Sequence, residues 1–299
     1  MSAPEQRSGV LRLVPGGLPA PAEYGAGHAA QWSRGRLRTL VIASGRGGVG
    51  KSNLAANLAV ALGQRGARVV LVDADLAQAN LDLLLGVHPR WDLSHVLAGE
   101  KSLDEVVVAG PENVTLVPGV SNAAAAELDD FRRELLLRSL GTADEGADLM
   151  IVDTGSNTDR DTLELCRAAH ELLVVATPDM ASFSDAYGLV KTLQKEGALS
   201  RAPGLVVNLA TTPEEADDAT NRMTLFARHF LRLEVQVLGT VPYDPAVTRA
   251  VRAQEPVLLA YPKSPAANAY RALAARLWKP VPSGPDSDLL SEQSFRLEA

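Results

Sequence analysis

The sequence of 299 residues has one cysteine, Cys166, so an internal disulfide is excluded. Its five histidines are scattered, and none has cysteine partners at metal-ligand spacing, which argues against a structural zinc or iron–sulfur site. The helical pattern around Cys166 indicates a buried structural thiol. A single free thiol of this kind is typical of a protein in a reducing compartment.

The sequence also lacks a basic excess and any apolar run long enough to span a membrane. Lys and Arg number 29 against 36 Asp and Glu, which gives a net charge of −7. This balance disfavours general electrostatic binding to nucleic acid or anionic lipid, so we expect no nucleic acid partner. The first residues contain no signal-peptide apolar region. We expect a cytoplasmic protein, with a polar or inner-membrane-peripheral position left open.

Apolar material, by contrast, is ample: 46% of the residues are hydrophobic, enough for one large core. Residues 1–36 are rich in Gly, Pro and Ala without a sustained period, which predicts a disordered N-terminal arm. A stretch rich in Pro and Gly that breaks secondary structure begins after Trp278, so residues 281–299 are predicted to form a flexible acidic tail. We therefore expect one folded domain over residues 37–280.

Within that domain, short β-branched runs alternate with helical patterns, which is typical of a doubly wound, mostly parallel α/β sheet. Continuous apolar runs at 69–72, 149–152 and 172–176 predict strands at the centre of the sheet, because such strands are buried on both faces. The predicted strands are 38–44, 68–73, 113–117, 148–153, 171–177, 204–209 and 235–241. The most periodic predicted helices are 51–65, 124–140, 159–169, 182–196, 213–232 and 266–278.

The stretch Ser44-Gly-Arg-Gly-Gly-Val-Gly-Lys-Ser52 carries the most specific chemistry. It satisfies G-x-x-x-x-G-K-[ST] between a predicted strand and a predicted helix, where glycines let backbone N–H groups point at a polyphosphate. Lys51 would reach the β- and γ-phosphates, Ser52 would ligate Mg²⁺, and the helix would present its positive end to the anion. The predicted nucleotide-binding residues of this P-loop are Gly45, Gly47, Gly48, Val49, Gly50, Lys51, Ser52 and Asn53.

Carboxylates end two predicted strands, at the edge where ligands bind in open α/β sheets. Asp73 and Asp75 share a face by strand alternation, so one could support Mg²⁺ and the other could orient an attacking water; alternatively they end a strand and begin a turn. Asp153 ends an apolar strand in the form of a Walker B element that holds Mg²⁺ through water. The predicted metal residues are thus Ser52, Asp73 and Asp153.

Three further features follow strands. The Asn208 amide could pair with a purine edge, although a turn-forming asparagine explains it nearly as well. The same caution applies to Pro242 and Asp244, which lie after another predicted strand in Gly239-Thr-Val-Pro-Tyr-Asp-Pro245. Thr154-Gly155 provides an N–H that could sense a γ-phosphate, so residues 153–159 form a candidate switch loop.

These motifs in this order resemble the deviant-Walker MinD/ParA ATPases, and within that family the FlhG (FleN) branch of flagellar-number regulators. The resemblance covers about residues 38–278 and is carried by Ser44–Asn57, Val72–Gly86, Leu93–Gly99, Val152–Gly155 and Leu238–Asp244. It implies an ATP-dependent homodimer that uses ATP and Mg²⁺. In it Lys51 and Ser52 contact phosphate and metal, Asp75 orients the water, and Asn208 and Pro242 contact adenine.

Two positions depart from the family pattern. Arg46 stands where the family has a signature lysine that reaches the partner's nucleotide, and Ser156-Asn157 replaces a small Ala-Gly pair in the second switch. Arginine keeps the charge but carries a larger, planar donor group, so we consider Arg46 a catalytic residue in trans, together with Lys51 and Asp75.

The resemblance implies an ATPase that hydrolyses ATP to ADP and phosphate and so controls the position or number of a structure such as the flagellum. Its protein partner would be an FlhF-like GTPase or a flagellar, chemosensory or polarity factor. Two alternatives remain: a nucleotide-responsive binding module with little turnover, and a ParA-like partitioning ATPase, which would need a basic surface. The acidic tail has one arginine, Arg296, so any membrane contact would be weak.

Overall fold

The computed structural model describes residues 37–120, 128–141, 146–156, 158–199 and 201–278. The predicted N-terminal arm and the predicted acidic tail lie outside the described residues, so both stay predictions.

The described residues contain one eight-stranded sheet in the order β3-β4-β2-β5-β1-β6-β7-β8. Neighbouring strands are parallel except for the antiparallel pair β3 and β4. The predicted doubly wound, mostly parallel sheet is therefore confirmed. The strands are β1 (Arg38–Ala43), β2 (Val69–Ala74), β3 (Val108–Ala109), β4 (Val114–Val117), β5 (Leu149–Thr154), β6 (Glu171–Ala176), β7 (Gly204–Ala210) and β8 (Gln236–Pro242).

Helices cover both faces of the sheet. One face packs against α1, α2 and α9–α11, and the other against α3–α8, which explains why the central strands contain continuous apolar runs. The helices are α1 (Lys51–Gly63), α2 (Leu81–Leu85), α3 (Leu93–Leu97), α4 (Leu103–Val106), α5 (Asp130–Gly141), α6 (Arg160–Ala168), α7 (Met180–Lys195), α8 (Pro213–Phe226), α9 (Pro245–Arg252), α10 (Val257–Ala260) and α11 (Pro265–Leu277). None of these helices is long and apolar enough to cross a membrane.

The sequence pattern missed the short elements. Strand β3 has two residues, and α2, α3, α4, α9 and α10 have between four and eight, fewer than the roughly 11–18 residues over which a helical period can be recognised. The helix predicted over 213–232 is α-helical only to Phe226 and continues as a π-helical turn over Ala227–Leu231. The helix predicted from residue 124 begins at Asp130 as described, and residues 121–127 lie outside the described residues.

The topology gathers the predicted site residues at one edge. The carboxyl ends of β2, β5 and β1 are adjacent, and β7 and β8 end further along the same edge. The connection after β1 leads directly into α1, which packs on one face of the sheet. This edge is the usual ligand-binding edge of an open α/β sheet.

Two helical glycines provide a matched test of the packing. A Cβ added at Gly63, the last residue of α1, would lie 1.6 Å from the Glu112 carbonyl oxygen, whereas one added at Gly188 in α7 meets no neighbouring atom of the described chain within 4 Å. We predict that Gly63→Ala lowers the free energy of unfolding by about 1–3 kcal/mol, because the backbone must shift. Gly188→Ala should raise it by about 0.5–1 kcal/mol, because alanine loses less backbone entropy. Urea unfolding measures both, and a Gly63→Ala variant as stable as the parent would contradict the described packing.

Candidate functional site

The P-loop runs from the end of β1 to the first residue of α1, as predicted. Gly50 has a φ of 87° in the left-handed region, and a Cβ there would lie 2.3 Å from the Asn208 amide nitrogen. Gly45 is pressed against α7, where a Cβ would lie 2.1 Å from the Asp185 carbonyl oxygen. Both positions therefore require glycine, one for its conformation and its neighbour, the other for close packing.

The remaining residues of the predicted cradle occupy the loop and the first turn of α1. Gly47 and Gly48 are exposed, Val49 and Lys51 are buried, and Ser52 and Asn53 are half-buried. Gly50 is the N-cap residue of α1, and no side chain caps this end of the helix. The first turn of α1 has no acidic residue. The N–H groups of this helix end are thus suited to an anion.

Asp153 lies next to this helix end, fully buried near the end of β5. Neither carboxylate oxygen is in hydrogen-bond geometry with any residue that the structure describes, although the Ser52 hydroxyl lies near enough to lower the pKa of the group. Burial raises the pKa of Asp153 to about 6. The Lys51 charge and the Ser52 hydroxyl lower this pKa, and the Asp75 charge raises it further. A buried carboxylate without a partner is costly unless a cation compensates it, so the donor set of Asp153 and Ser52 fits Mg²⁺.

Asp73 is paired in the sheet with Asp153 and has partners of its own. One oxygen accepts from the N–H groups of Asn80 at 2.8 Å and Leu81 at 2.9 Å, and the other from the Asp75 N–H at 3.2 Å. Burial, and then the Asp153 charge, raise the pKa of Asp73 to about 7. Asp73 therefore anchors the loop between β2 and α2; that it also ligates Mg²⁺ stays a prediction.

Asp75 lies in that loop and is half-buried. Its Oδ1 accepts from the N–H groups of Ala77 at 3.3 Å and Gln78 at 3.0 Å. A Cβ added at Gly155 would lie 3.7 Å from the same oxygen, so the loops after β2 and β5 meet here. The loop that carries Asp75 therefore meets the candidate switch loop after β5.

The second switch also approaches the P-loop. A Cβ added at Gly47 would lie 3.4 Å from the Ser156 hydroxyl oxygen, so this departure from the family pattern faces the phosphate cradle. Asn157 lies outside the described residues.

Asn208 is buried at the end of β7 and contacts the P-loop. Its side-chain amide donates to the Val49 carbonyl oxygen at 2.7 Å. The amide therefore holds the loop in its curved conformation, a contact that the sequence did not indicate. Its predicted contact with adenine stays a prediction.

Pro242 ends β8 and is held by the residues after it. The buried Asp244 accepts from the Ala246 N–H at 2.8 Å and the Ala266 N–H at 3.1 Å, joining the starts of α9 and α11. Its pKa is lowered by these hydrogen bonds despite the opposing effect of burial. The turn that follows Pro242 is consequently a fixed part of the site's edge.

Arg46 lies at the exposed outer rim of the P-loop, and 43% of its side chain is exposed. Its guanidinium lies 3.5 Å from an Asp179 oxygen and 3.9 Å from an Asp185 oxygen. Asp179 also caps α7, and hydrogen bonds from Thr177 and Ser182 lower its pKa. The sequence analysis did not indicate that these two aspartates pair with Arg46.

The structure brings the predicted residues together in two groups. Lys51, Ser52, Asp73, Asp75 and Asp153 lie at the start of α1 and the carboxyl ends of β2 and β5, while Asn208 and Pro242 lie at the ends of β7 and β8. Arg46 stands apart, on the exposed side of the loop.

This arrangement agrees with the comparisons to known proteins. Residues 40–257 match the CobQ/CobB/MinD/ParA nucleotide binding domain. The chain belongs to this family. The predicted resemblance to MinD/ParA ATPases is therefore confirmed.

Three relatives illustrate the match. The chain is 34% identical to the antiactivator FleN of Pseudomonas aeruginosa, over 85% of this chain and 91% of FleN. It is 32% identical to the flagellum site-determining protein YlxH of Helicobacter pylori, over 74% of each chain. The septum site-determining protein MinD of Pyrococcus horikoshii, solved in complex with Mg-ADP, is 26% identical with a TM-score of 0.65, covering 81% of this chain and 96% of that one.

The buried Asp153 carboxylate generates a prediction about stability. Because its folded pKa of about 6 lies above its ordinary value of 3.8, the folded state binds more protons than the unfolded state between those values. The free energy of unfolding therefore falls as the pH rises from 3.8 to about 6, and the destabilisation by the charged carboxylate is complete above that pH. We predict that Asp153→Asn raises the free energy of unfolding of the ligand-free protein by about 1–3 kcal/mol at neutral pH, and that the gain vanishes toward pH 4.

Urea unfolding in EDTA at several pH values measures this effect. Asp148→Asn is the matched control, because its ion pair with Arg68 at 2.8 Å lowers its pKa and its replacement should destabilise the protein. An Asp153→Asn variant less stable than the parent at neutral pH would show that the carboxylate is compensated within the protein.

Proposed function

We propose that this protein is an ATP-hydrolysing dimerisation switch of the MinD/FlhG type, which controls the position or number of a cellular structure such as the flagellum. The observation that carries the proposal is the buried, unpartnered Asp153 carboxylate beside Lys51 and Ser52 at the end of a P-loop. A site of this composition binds a metal-bound triphosphate favourably. Without a ligand, the buried charge lowers the stability of the protein.

In this proposal the triphosphate lies along the P-loop. The Lys51 ammonium and the first N–H groups of α1 compensate the phosphate charge, and Ser52 and Asp153 hold Mg²⁺, partly through water. Bound Mg²⁺ would neutralise charge on the phosphate oxygens. The orphaned Asp153 oxygens support the fit of the metal, and the related MinD of Pyrococcus horikoshii was solved as a complex with Mg-ADP.

Asp75 is the residue that we assign to water orientation. It stands at the meeting of the two switch loops, and its backbone N–H is held by Asp73, which fixes the start of its loop. A carboxylate in this position can accept a proton or a hydrogen bond from water attacking the γ-phosphate. A change at Gly155 would therefore reach Asp75 directly.

Arg46 supports the dimeric part of the proposal. Its two ion pairs are long and exposed, and such pairs contribute at most about 1 kcal/mol, so releasing the guanidinium costs little. A free arginine at the rim could reach the nucleotide of a second protomer and stabilise the charge of the transition state. ATP binding would then join two protomers, and hydrolysis would separate them.

The biological role follows from the relatives. FleN is called an antiactivator and YlxH a flagellum site-determining protein. We propose a protein partner of that kind, an FlhF-like GTPase or a flagellar, chemosensory or polarity factor, that distinguishes dimer from monomer in the cytoplasm. Membrane contact would be weak, and nucleic acid is not expected.

A second candidate function is a nucleotide-responsive binding module with negligible turnover. It is favoured by the position of Arg46, which is already engaged in cis by two aspartates of the α7 region, and by Ser156, which faces Gly47. In this alternative Arg46 never reaches a partner protomer.

The Arg46 variants decide between the two candidates. If Arg46 acts in trans, we predict that Arg46→Ala retains ATP binding while phosphate release falls by about 10³-fold and ATP-dependent dimers disappear. Calorimetry, phosphate release and light scattering provide the three readouts. Arg228→Ala, which removes an exposed arginine paired with Glu234 at 2.9 Å, is the control and should change none of them. No detectable turnover in the parent or in Arg46→Lys would contradict the ATPase and leave the binding module.

A further inference from the structure

The last three helices of the described chain lie in a segment with an excess of positive charge. Residues 245–278, which contain α9 to α11, have five Arg and Lys residues and a single carboxylate, Glu255. The segment therefore has a net charge of +4 in a chain whose net charge is −7. A local excess of this kind attracts an anionic group.

Two of these cations contact the loop 261–264 between α10 and α11. The Arg249 guanidinium of α9 lies over the Tyr261 ring, 5.0 Å from its centroid. The Arg271 guanidinium of α11 donates to the carbonyl oxygen of the adjacent Pro262 at 2.6 Å. Helices α9 and α11 therefore bring their cations together at this loop.

Two further cations extend the group. Lys263 is an exposed residue of the same loop, and Arg252 is exposed on α9, one helical turn after Arg249. None of the four cations forms a salt bridge with a carboxylate of the described residues. We call these four side chains the basic surface: Arg249, Arg252, Lys263 and Arg271.

The carboxylates of this region compensate the basic surface only in part. The Asp244 charge interacts with Arg249, but Asp244 is buried and accepts from the Ala246 and Ala266 N–H groups. Glu255 is exposed after the end of α9. Two carboxylates are thus available for four cations, which leaves positive charge for an anion from outside the described residues.

The chain has an acidic segment shortly after α11. Residues 286–298 lie outside the described residues, and their sequence has one cation, Arg296, and four carboxylates: Asp286, Asp288, Glu292 and Glu298. The charge of this segment is opposite to that of the basic surface. The two are therefore complementary within one chain.

The acidic segment is also long enough to reach the basic surface. Helix α11 has 13 residues and precedes Trp278 directly, so a chain that turns back along it must cover about 20 Å to reach the loop 261–264. Asp286 is eight positions after Trp278, and eight extended residues span up to about 27 Å. The linker between them thus permits the contact.

We propose that the acidic segment 286–298 binds the basic surface of its own chain. Each exposed ion pair contributes at most about 1 kcal/mol. The short linker nevertheless gives the segment an effective concentration in the millimolar range, at which a weak contact is populated. The bound segment covers the basic surface and competes with other polyanions for it. This inference is independent of the proposed function, because no nucleotide contact enters into it.

The test is carbodiimide cross-linking of the full chain, which joins an amine directly to a carboxylate that touches it. Lys263 supplies the amine of the basic surface, and mass spectrometry identifies the joined peptides. Lys191 is the internal control, because it is an exposed lysine of α7 on the opposite face of the sheet. A mixture of unlabelled and ¹⁵N-labelled protein distinguishes links within one chain from links between two copies.

We expect Lys263 to be joined to residues 286–298 of the same chain at about 0.01 M salt, and the link to be lost at about 1 M salt, where charges are screened. Arg252→Glu and Arg249→Glu should each lower the yield about fivefold, because each replaces an attraction by a repulsion of similar size. Arg132→Glu is the matched control. It makes the same charge change at an exposed arginine of α5 and should leave the yield unchanged.

Equal yields at Lys263 and Lys191 would overturn the proposal, since they would indicate random collisions of the segment. No link between Lys263 and residues 286–298 at low salt would overturn it as well. Links found only between labelled and unlabelled copies would show that the segment binds a second chain and not its own. An unchanged yield in both Arg252→Glu and Arg249→Glu would show that the basic surface does not hold the segment.

Discussion

The site depends on one electrostatic constraint, the burial of the Asp153 carboxylate without a hydrogen-bond partner among the described residues. Water cannot solvate this group, and the nearby Lys51 charge compensates it only in part, since the pKa still rises to about 6. Such a group is destabilising in the empty protein. When a cation and a polyanion bind together, the cation compensates the carboxylate charge. Binding therefore removes this destabilisation and raises the free energy of unfolding.

The surrounding contacts preserve the geometry that this constraint needs. Asp73 holds the loop that carries Asp75, and Asn208 holds the P-loop through Val49. These contacts lie on either side of β1, so the two loops are positioned from opposite ends of the site. Arg46, by contrast, is held only by long, exposed ion pairs.

Much of this could be predicted from the sequence. The apolar runs predicted the central strands, because a strand buried on both faces is apolar along most of its length, and the strand ends predicted Asp73, Asp153 and Asn208 at one edge. The sequence could not show which hydrogen-bond partners these side chains have. The pairing of Asn208 with Val49, for example, joins residues 159 positions apart. Elements of a few residues, such as α2, have too little periodicity to detect.

We propose that metal-bound ATP, and not nucleotide in general, joins two copies of this chain. Sedimentation velocity of the parent protein with Mg-ATP, with Mg-ADP and with ATP in EDTA tests it most directly, with Lys51→Ala as the variant that lacks phosphate compensation. We expect the parent to form dimers with Mg-ATP only and the variant to stay monomeric under all three conditions. The same sedimentation coefficient for the parent under all three conditions would contradict it.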